Sequence, residues 1–231
     1  MAAPRPHRGH SSATTVFTET SQCRCRMNNP DPMTHSVTDL VYRVNALDEI
    51  YFTNSQYDEF AATNSGQSAN SKAVLNRSLW DFITETSTRC IYQRILRRVR
   101  DGRAFRFHFR CDSADFRRMM EMSVVAVENL GVEFRTRIIS QTPRPRQLLL
   151  DGNASVSNIL VRMCGWCAAV DLNGTWIELE EAVLCMGLLE RPTPGNISHG
   201  ICEACHAKME IALSASIIDE TLPRSPGMLN N

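Results

Sequence analysis

AFRFHFRCDSADFRRMMEMSVVAVENLGVEFRTRII, residues 104–139, is the stretch whose reading decides the fold. In 104–110, Phe105, Phe107 and Phe109 alternate with Arg106, His108 and Arg110, the period of a strand with one buried face. In 117–126, Met120, Met122 and Val124 share one side and Glu121 and Ser123 the other. In 132–139, Val132, Phe134 and Ile138 turn inward against Glu133, Arg135 and Arg137. Three amphipathic strands in succession, too closely spaced for crossover helices, make an antiparallel sheet.

Upstream, a helix is expected over about 86–100, with Ile91, Ile95, Leu96 and Val99 as its apolar stripe and Asp101-Gly102 as its end. Arg94, Arg97 and Arg98 fall largely off that stripe. Two short β runs, 39–46 (DLVYRVNA) and 48–53 (DEIYFT), precede it. Ser55-Gln-Tyr-Asp58 reads as a capping box for a short helix to about Thr63, and 64–70 (NSGQSAN) is turn-forming. Strand pair, short helices, long helix and three strands form an α+β pattern: a five-stranded antiparallel sheet with flanking helices.

The 231 residues are 43% hydrophobic and 22% charged, with 25 basic against 25 acidic side chains. Such a chain suits one large domain or two small ones and carries no global charge toward nucleic acid or membrane. No apolar run reaches the ~18 residues of a membrane helix. Residues 1–37 lack the apolar centre of a secretory signal and read as a disordered leader, or as sequence ahead of a true start at Met27 or Met33. The expected location is cytoplasmic.

Two lysines, Lys72 and Lys208, stand against many arginines, ten of them between Arg89 and Arg118 with three acids, an excess of seven. Such a patch suits nucleic acid or an acidic partner, and equally a solvated face or docking onto the acidic stretch around Glu178–Glu181.

Ser140-Gln-Thr-Pro-Arg-Pro-Arg146 punctuates the chain with two prolines and reads as a linker, 140–157. Beyond it Cys164-Gly-Trp-Cys167 and Cys202-Glu-Ala-Cys205 are separated by 34 residues. Two Cys-x-x-Cys turns supply the four thiolates of a closed, structural Zn²⁺ site, with His199 as an alternate ligand. Zinc binding is worth roughly 10–16 kcal/mol in small modules, enough to organise a thin core. A hairpin at Asp171-Leu-Asn-Gly174 and a helix over about 178–188 would bring the pairs together. The rival is thiol redox chemistry, although the Asn-Gly turn leaves no room for the long helix that follows a thioredoxin-type pair. Cys90 and Cys185 read as buried small hydrophobes. Cys23-Arg24-Cys25 is too closely spaced for a strong site. Residues 158–214 make the cysteine module, small and zinc-ribbon-like, and 215–231 a disordered tail.

Ile50-Tyr-Phe-Thr-Asn54, Ser78-Leu-Trp-Asp-Phe82, the 92–100 helix, 107–118 (FHFRCDSADFRR) and Met120-Glu-Met122 together resemble a PAS domain over 38–139. Met163-Cys-Gly-Trp-Cys167 with His199-Gly-Ile-Cys-Glu-Ala-Cys205 is similar to a cysteine-rich tail module of bacterial signalling proteins. The resemblance implies a regulatory protein that senses or relays a signal through a protein partner or a homodimer, with a possible small-molecule ligand. It implies a cavity lined by Phe52, Trp80, Phe82, Phe107, Met120 and Met122, side chains that a plain core would also contain. The Asn-Cys-Arg-Phe type motif of a flavin-photoadduct domain is absent. Heme has one internal candidate ligand, His108, which alternates outward. Phosphate-loop, Gly-x-Ser-x-Gly and kinase signatures are absent as well, so no enzyme is expected. A redox sensor and a nucleic-acid-binding regulator remain the alternatives.

Overall fold

The computed structural model describes residues 39–64, 66, 69–151, 160–187 and 196–215, all within one compact unit. The leader, with Cys23, Cys25 and both alternative starts, and the tail from 216 lie outside the described residues, as do 152–157 of the expected linker and 158–159 of the expected cysteine module.

Strands β1 (Leu40–Val44), β2 (Ile50–Thr53), β3 (Phe105–Arg110), β4 (Phe116–Ala126) and β5 (Val132–Pro143) form a five-stranded sheet in the order β2-β1-β5-β4-β3. Every pairing in it is antiparallel. Helices α1 (Ser55–Thr63), α2 (Ser71–Val74) and α3 (Thr86–Arg100) accompany it. The period-two reading holds. Phe107 pairs with Met122 and Met122 with Thr136, while Tyr42 and Val124 flank Phe134. Phe134 is fully buried and stacks on Tyr42 with ring centroids 4.6 Å apart. Ile91, Ile95, Leu96 and Val99 of α3 join the same core.

The opposite face of the sheet is ionic. Glu133 sits between Arg43 and Arg135, and Glu121 meets Arg106, His108 and Arg137. His108 is 60% exposed there, as its alternation required. The β4–β5 turn is tight. A Cβ on Gly131 would meet Val127 Cγ2 at 2.8 Å, and Asn129 and Leu130 both hold positive φ.

Three local expectations are corrected. The cap of α1 is Asn54, whose side chain accepts from the Tyr57 N–H, while Asp58 accepts from Ser71 N–H and ties α1 to α2. Arg98 is 8% exposed, because its guanidinium reaches past the stripe to the carbonyls of Leu213 and Ala215. Cys90 and Cys185 are exposed, Cys90 lying beside the α3 stripe and Cys185 closing its own helix.

The stretch expected as a linker is partly strand and partly a packed strap. β5 runs on to Pro143, and Arg144, Gln147 and Leu149 are buried. Beyond it β6 (Leu160–Cys164), β7 (Val170–Leu172), β8 (Thr175–Ile177) and β9 (Asn196–Gly200) form a mixed sheet in the order β8-β7-β6-β9, with β6 and β9 parallel. Helices α4 (Leu179–Cys185) and α5 (Glu203–Ser214) complete it. The hairpin and the helix expected between the cysteine pairs are both there.

Candidate metal centre

Each cysteine pair stands on a turn made rigid by its backbone. Cys164 ends β6, and the chain reverses through Gly165-Trp166-Cys167 to Ala168, which has φ +59 and returns its N–H to the Cys164 carbonyl at 2.9 Å. Gly165 N–H bonds the Gly200 carbonyl at 2.9 Å, which fixes this turn against the end of β9. Cys202 is the N-cap of α5, so its sulfur faces the free N–H groups of the first turn. Cys205 N–H donates to Cys202 Sγ at 3.4 Å, and Cys202 N–H to Cys164 Sγ at 3.4 Å.

The four sulfurs of Cys164, Cys167, Cys202 and Cys205 all lie within 4.8 Å of one another. Cys167 and Cys202 are 3.8 Å apart. A tetrahedron with Zn–S bonds of about 2.3 Å has edges of about 3.8 Å. The donor set therefore fits a closed metal site, and the cluster can hold a metal ion.

Metal ligands must be deprotonated, and one of the four sulfurs is already held toward that form. The hydrogen bond from Cys167, aided by backbone N–H groups of Cys202, Cys167 and Trp166, holds the Cys164 thiol down to about 4 against its burial. Cys167 is pushed up by that same shared bond. Burial pushes Cys205 up to about 12.

His199 is outside this cluster. It lies in β9 and lines an open cleft of about 600 Å³ with Glu85, Tyr92, Arg162 and Trp166. The residue is exposed as a whole, and desolvation of its ring in the cleft lowers its pKa.

The site is not an appendage. Cys164, Trp166, Ile201, Cys202, Cys205 and Met209 belong to the same buried cluster as Phe107, Phe134 and the α3 stripe. Trp166 is 7% exposed, with its ring centroid 6.0 Å from Tyr92 and 6.4 Å from Phe107, and its carbonyl accepts from Arg110 N–H at 2.8 Å. Sequence reading passed over Trp166. Its one signal was a large aromatic inside a metal-binding turn, where a small polar residue would serve the turn equally well.

The six side chains expected to line one cavity are not brought together. Phe52 is on β2 under the Arg43 guanidinium, and Trp80 donates from Nε1 to Asp48 at 3.0 Å. Phe82 and Phe107 line the cleft of His199, Met122 is core, and Met120 lines a second cavity. That second cavity, of about 320 Å³, lies between the sheet and α1 and is bounded by Tyr42, Tyr57, Phe60, Cys111, Arg118 and Met120 among others.

The arginine patch is largely engaged within the chain. Arg89, Arg98 and Arg100 bond carbonyls, Arg94 pairs with Glu210, Arg103 with Asp101 and Arg106 with Glu121. Arg118 bonds Asn64 and Gln141. Arg110 and Arg117 pair with Glu178 of the cysteine module, and Arg144 of the strap with Glu180 at 3.0 Å. Asp112, its side chain 2% exposed, joins Arg110 and Arg144 into one buried network. Arg97 is the member left exposed without a partner among the described residues.

Neither a protein-family model nor a curated protein matches the chain. Among solved structures, a sensory box sensor histidine kinase from Vibrio cholerae is similar over 45% of this chain and 82% of that one, with 9% identity and a TM-score of 0.32.

Proposed function

We propose that this is a non-enzymatic, cytoplasmic regulatory protein. Its PAS-like sheet senses or relays a signal through contact with a protein partner or a second copy, and its cysteine cluster is a structural Zn²⁺ centre. The observation that carries the reading is the wall shared by the smaller cavity and the ion-pair network. Asp112 lines the cavity and is bonded to Arg144, which reaches Glu180 in the first turn of α4. Occupancy of the cavity can thus be felt in the zinc-bearing part without any chemistry at the metal. Four sulfurs leave no open coordination position, which supports a structural ion over a catalytic one. No helix among the described residues is long and apolar enough to cross a membrane.

The second reading, a thiol redox sensor, is favoured by the lowered pKa of Cys164 alone. Metal analysis of the purified chain separates the two. About one zinc per chain, retained under mild peroxide, is the expected outcome; zinc release with disulfide formation would establish the sensor instead. The nucleic-acid reading is weakened by the internal engagement of the arginines.

A further inference from the structure

The wall of the smaller cavity carries one cation that its neighbours do not balance. Arg118, on β4, is 8% exposed and lines the cavity. Its Nε donates to Gln141 Oε1 at 2.8 Å and its Nη1 to Asn64 Oδ1 at 2.6 Å, both neutral acceptors. The rings of Phe60 and Phe116 stand 5.5 and 5.7 Å from the guanidinium carbon. Among the described residues no carboxylate lies within ion-pair distance of it, and Nη2 has no acceptor.

Two nearby groups are candidates to balance it, and neither forms an ion pair with its guanidinium. Asp112 lines the same cavity, but its oxygens are occupied by Arg110, Arg144 and the Arg118 backbone N–H. Cys111 beside it is pushed up by burial and stays a neutral thiol. A buried cation without a counter-ion is costly, and a bound anion removes that cost. Apart from Asn64, Asp112, Ser113 and Thr136, the rest of the wall is largely apolar, with Leu40, Tyr57, Met120 and Leu150.

Resting on the sensory reading above, we infer that this cavity binds a small monocarboxylate with an apolar body, its carboxylate paired with Arg118. The open Nη2 of this one guanidinium offers a carboxylate a charge-assisted hydrogen bond, whereas a phosphate dianion calls for more positive charge. The volume of about 320 Å³ equals about ten water volumes at ~30 Å³ each, room for a body of about ten non-hydrogen atoms.

The test titrates the zinc-loaded full chain with phenylacetate and with its uncharged counterpart 2-phenylethanol, by calorimetry. The acid should bind about ten- to a hundredfold more tightly than the alcohol, the range of a hydrogen bond to a charged group. Arg118→Gln, shown folded by circular dichroism, should erase that preference. Ala61→Leu, which fills the cavity from α1, should abolish binding of both. Should Arg118→Gln not fold, the wild-type preference and its loss in Ala61→Leu decide the matter. Equal affinity for acid and alcohol overturns the carboxylate inference while leaving a ligand-binding sensory cavity. Binding of neither overturns both. Displacement of phenylacetate by equimolar inorganic phosphate, or undiminished binding by Ala61→Leu, also overturns the inference.

Discussion

Trp166 joins the cysteine cluster to the sheet, and its removal should show the size of that bond. The ring is buried against Tyr92 and Phe107, while its Nε1–H has no partner among the described residues. Trp166→Ala should therefore cost about 3–5 kcal/mol, the range for a large aromatic emptied from a core. Trp166→Phe gives up no hydrogen bond and keeps most of the packing, so its cost should be about 1.5 kcal/mol or less. Denaturant melts of the two variants check this, and equal losses would show that the indole N–H matters more than the ring. The buried Arg144 is the polar counterpart. It donates to Asp112, Glu180 and the Ser113 carbonyl from a side chain 6% exposed. Arg144→Gln should cost about 3–5 kcal/mol by the same measurement, since it leaves the buried Asp112 carboxylate short of a partner.

At the scale of elements, α3 is the helix on which both halves rest, and its start is held by a charge. Glu85 is its N-cap, accepting from the N–H groups of Ser87 and Thr88 at 3.0 and 2.7 Å. Burial pushes its carboxyl up, but the bonds from Thr88 and Ser87 outweigh that and hold its pKa below the ordinary 4.5. A lowered folded-state pKa gives stability that is fully present above the unfolded value and is lost as the pH falls through the folded one. Glu85→Ala should then cost about 1 kcal/mol near neutrality. The gap from the wild type should close as the pH drops below about 4.5. Thermal melts across that range check it, and a gap independent of pH would remove the charge from the explanation.

For the whole molecule, the shared core makes a claim about cooperativity. The sulfur cluster and the α3 stripe are in one buried cluster, and Arg94 and Arg98 of α3 hold α5 through Glu210 and the carbonyls at its end. A chelator, by removing the proposed zinc, should lower the midpoint of a single unfolding transition seen alike by tryptophan fluorescence and far-ultraviolet dichroism. Two separated transitions would show that the cysteine-bearing sheet stands on its own.

The strands, the face each side chain takes and the stripe of α3 were legible in the chain because period and propensity act within a few residues. The four cysteines of the cluster were legible for the same reason, since each pair is a local turn. The sequence by itself thus determined the sheet and the chemistry of the sulfurs. What surrounds them was decided by tertiary structure. Pro143 and Pro145 read as a linker because proline ends a ladder of hydrogen bonds, yet Arg144, the Gln147 backbone N–H and Leu149 find partners far along the chain. Arg98 was assigned to solvent by its position on the helix and is buried by α5, which no local window contains. Whether Cys164 and Cys167 stand on a separate bead or in the core of the sheet depends on which apolar surface Trp166 covers. That is a contact between residues 74 and 59 positions apart, and only the folded chain brings them together.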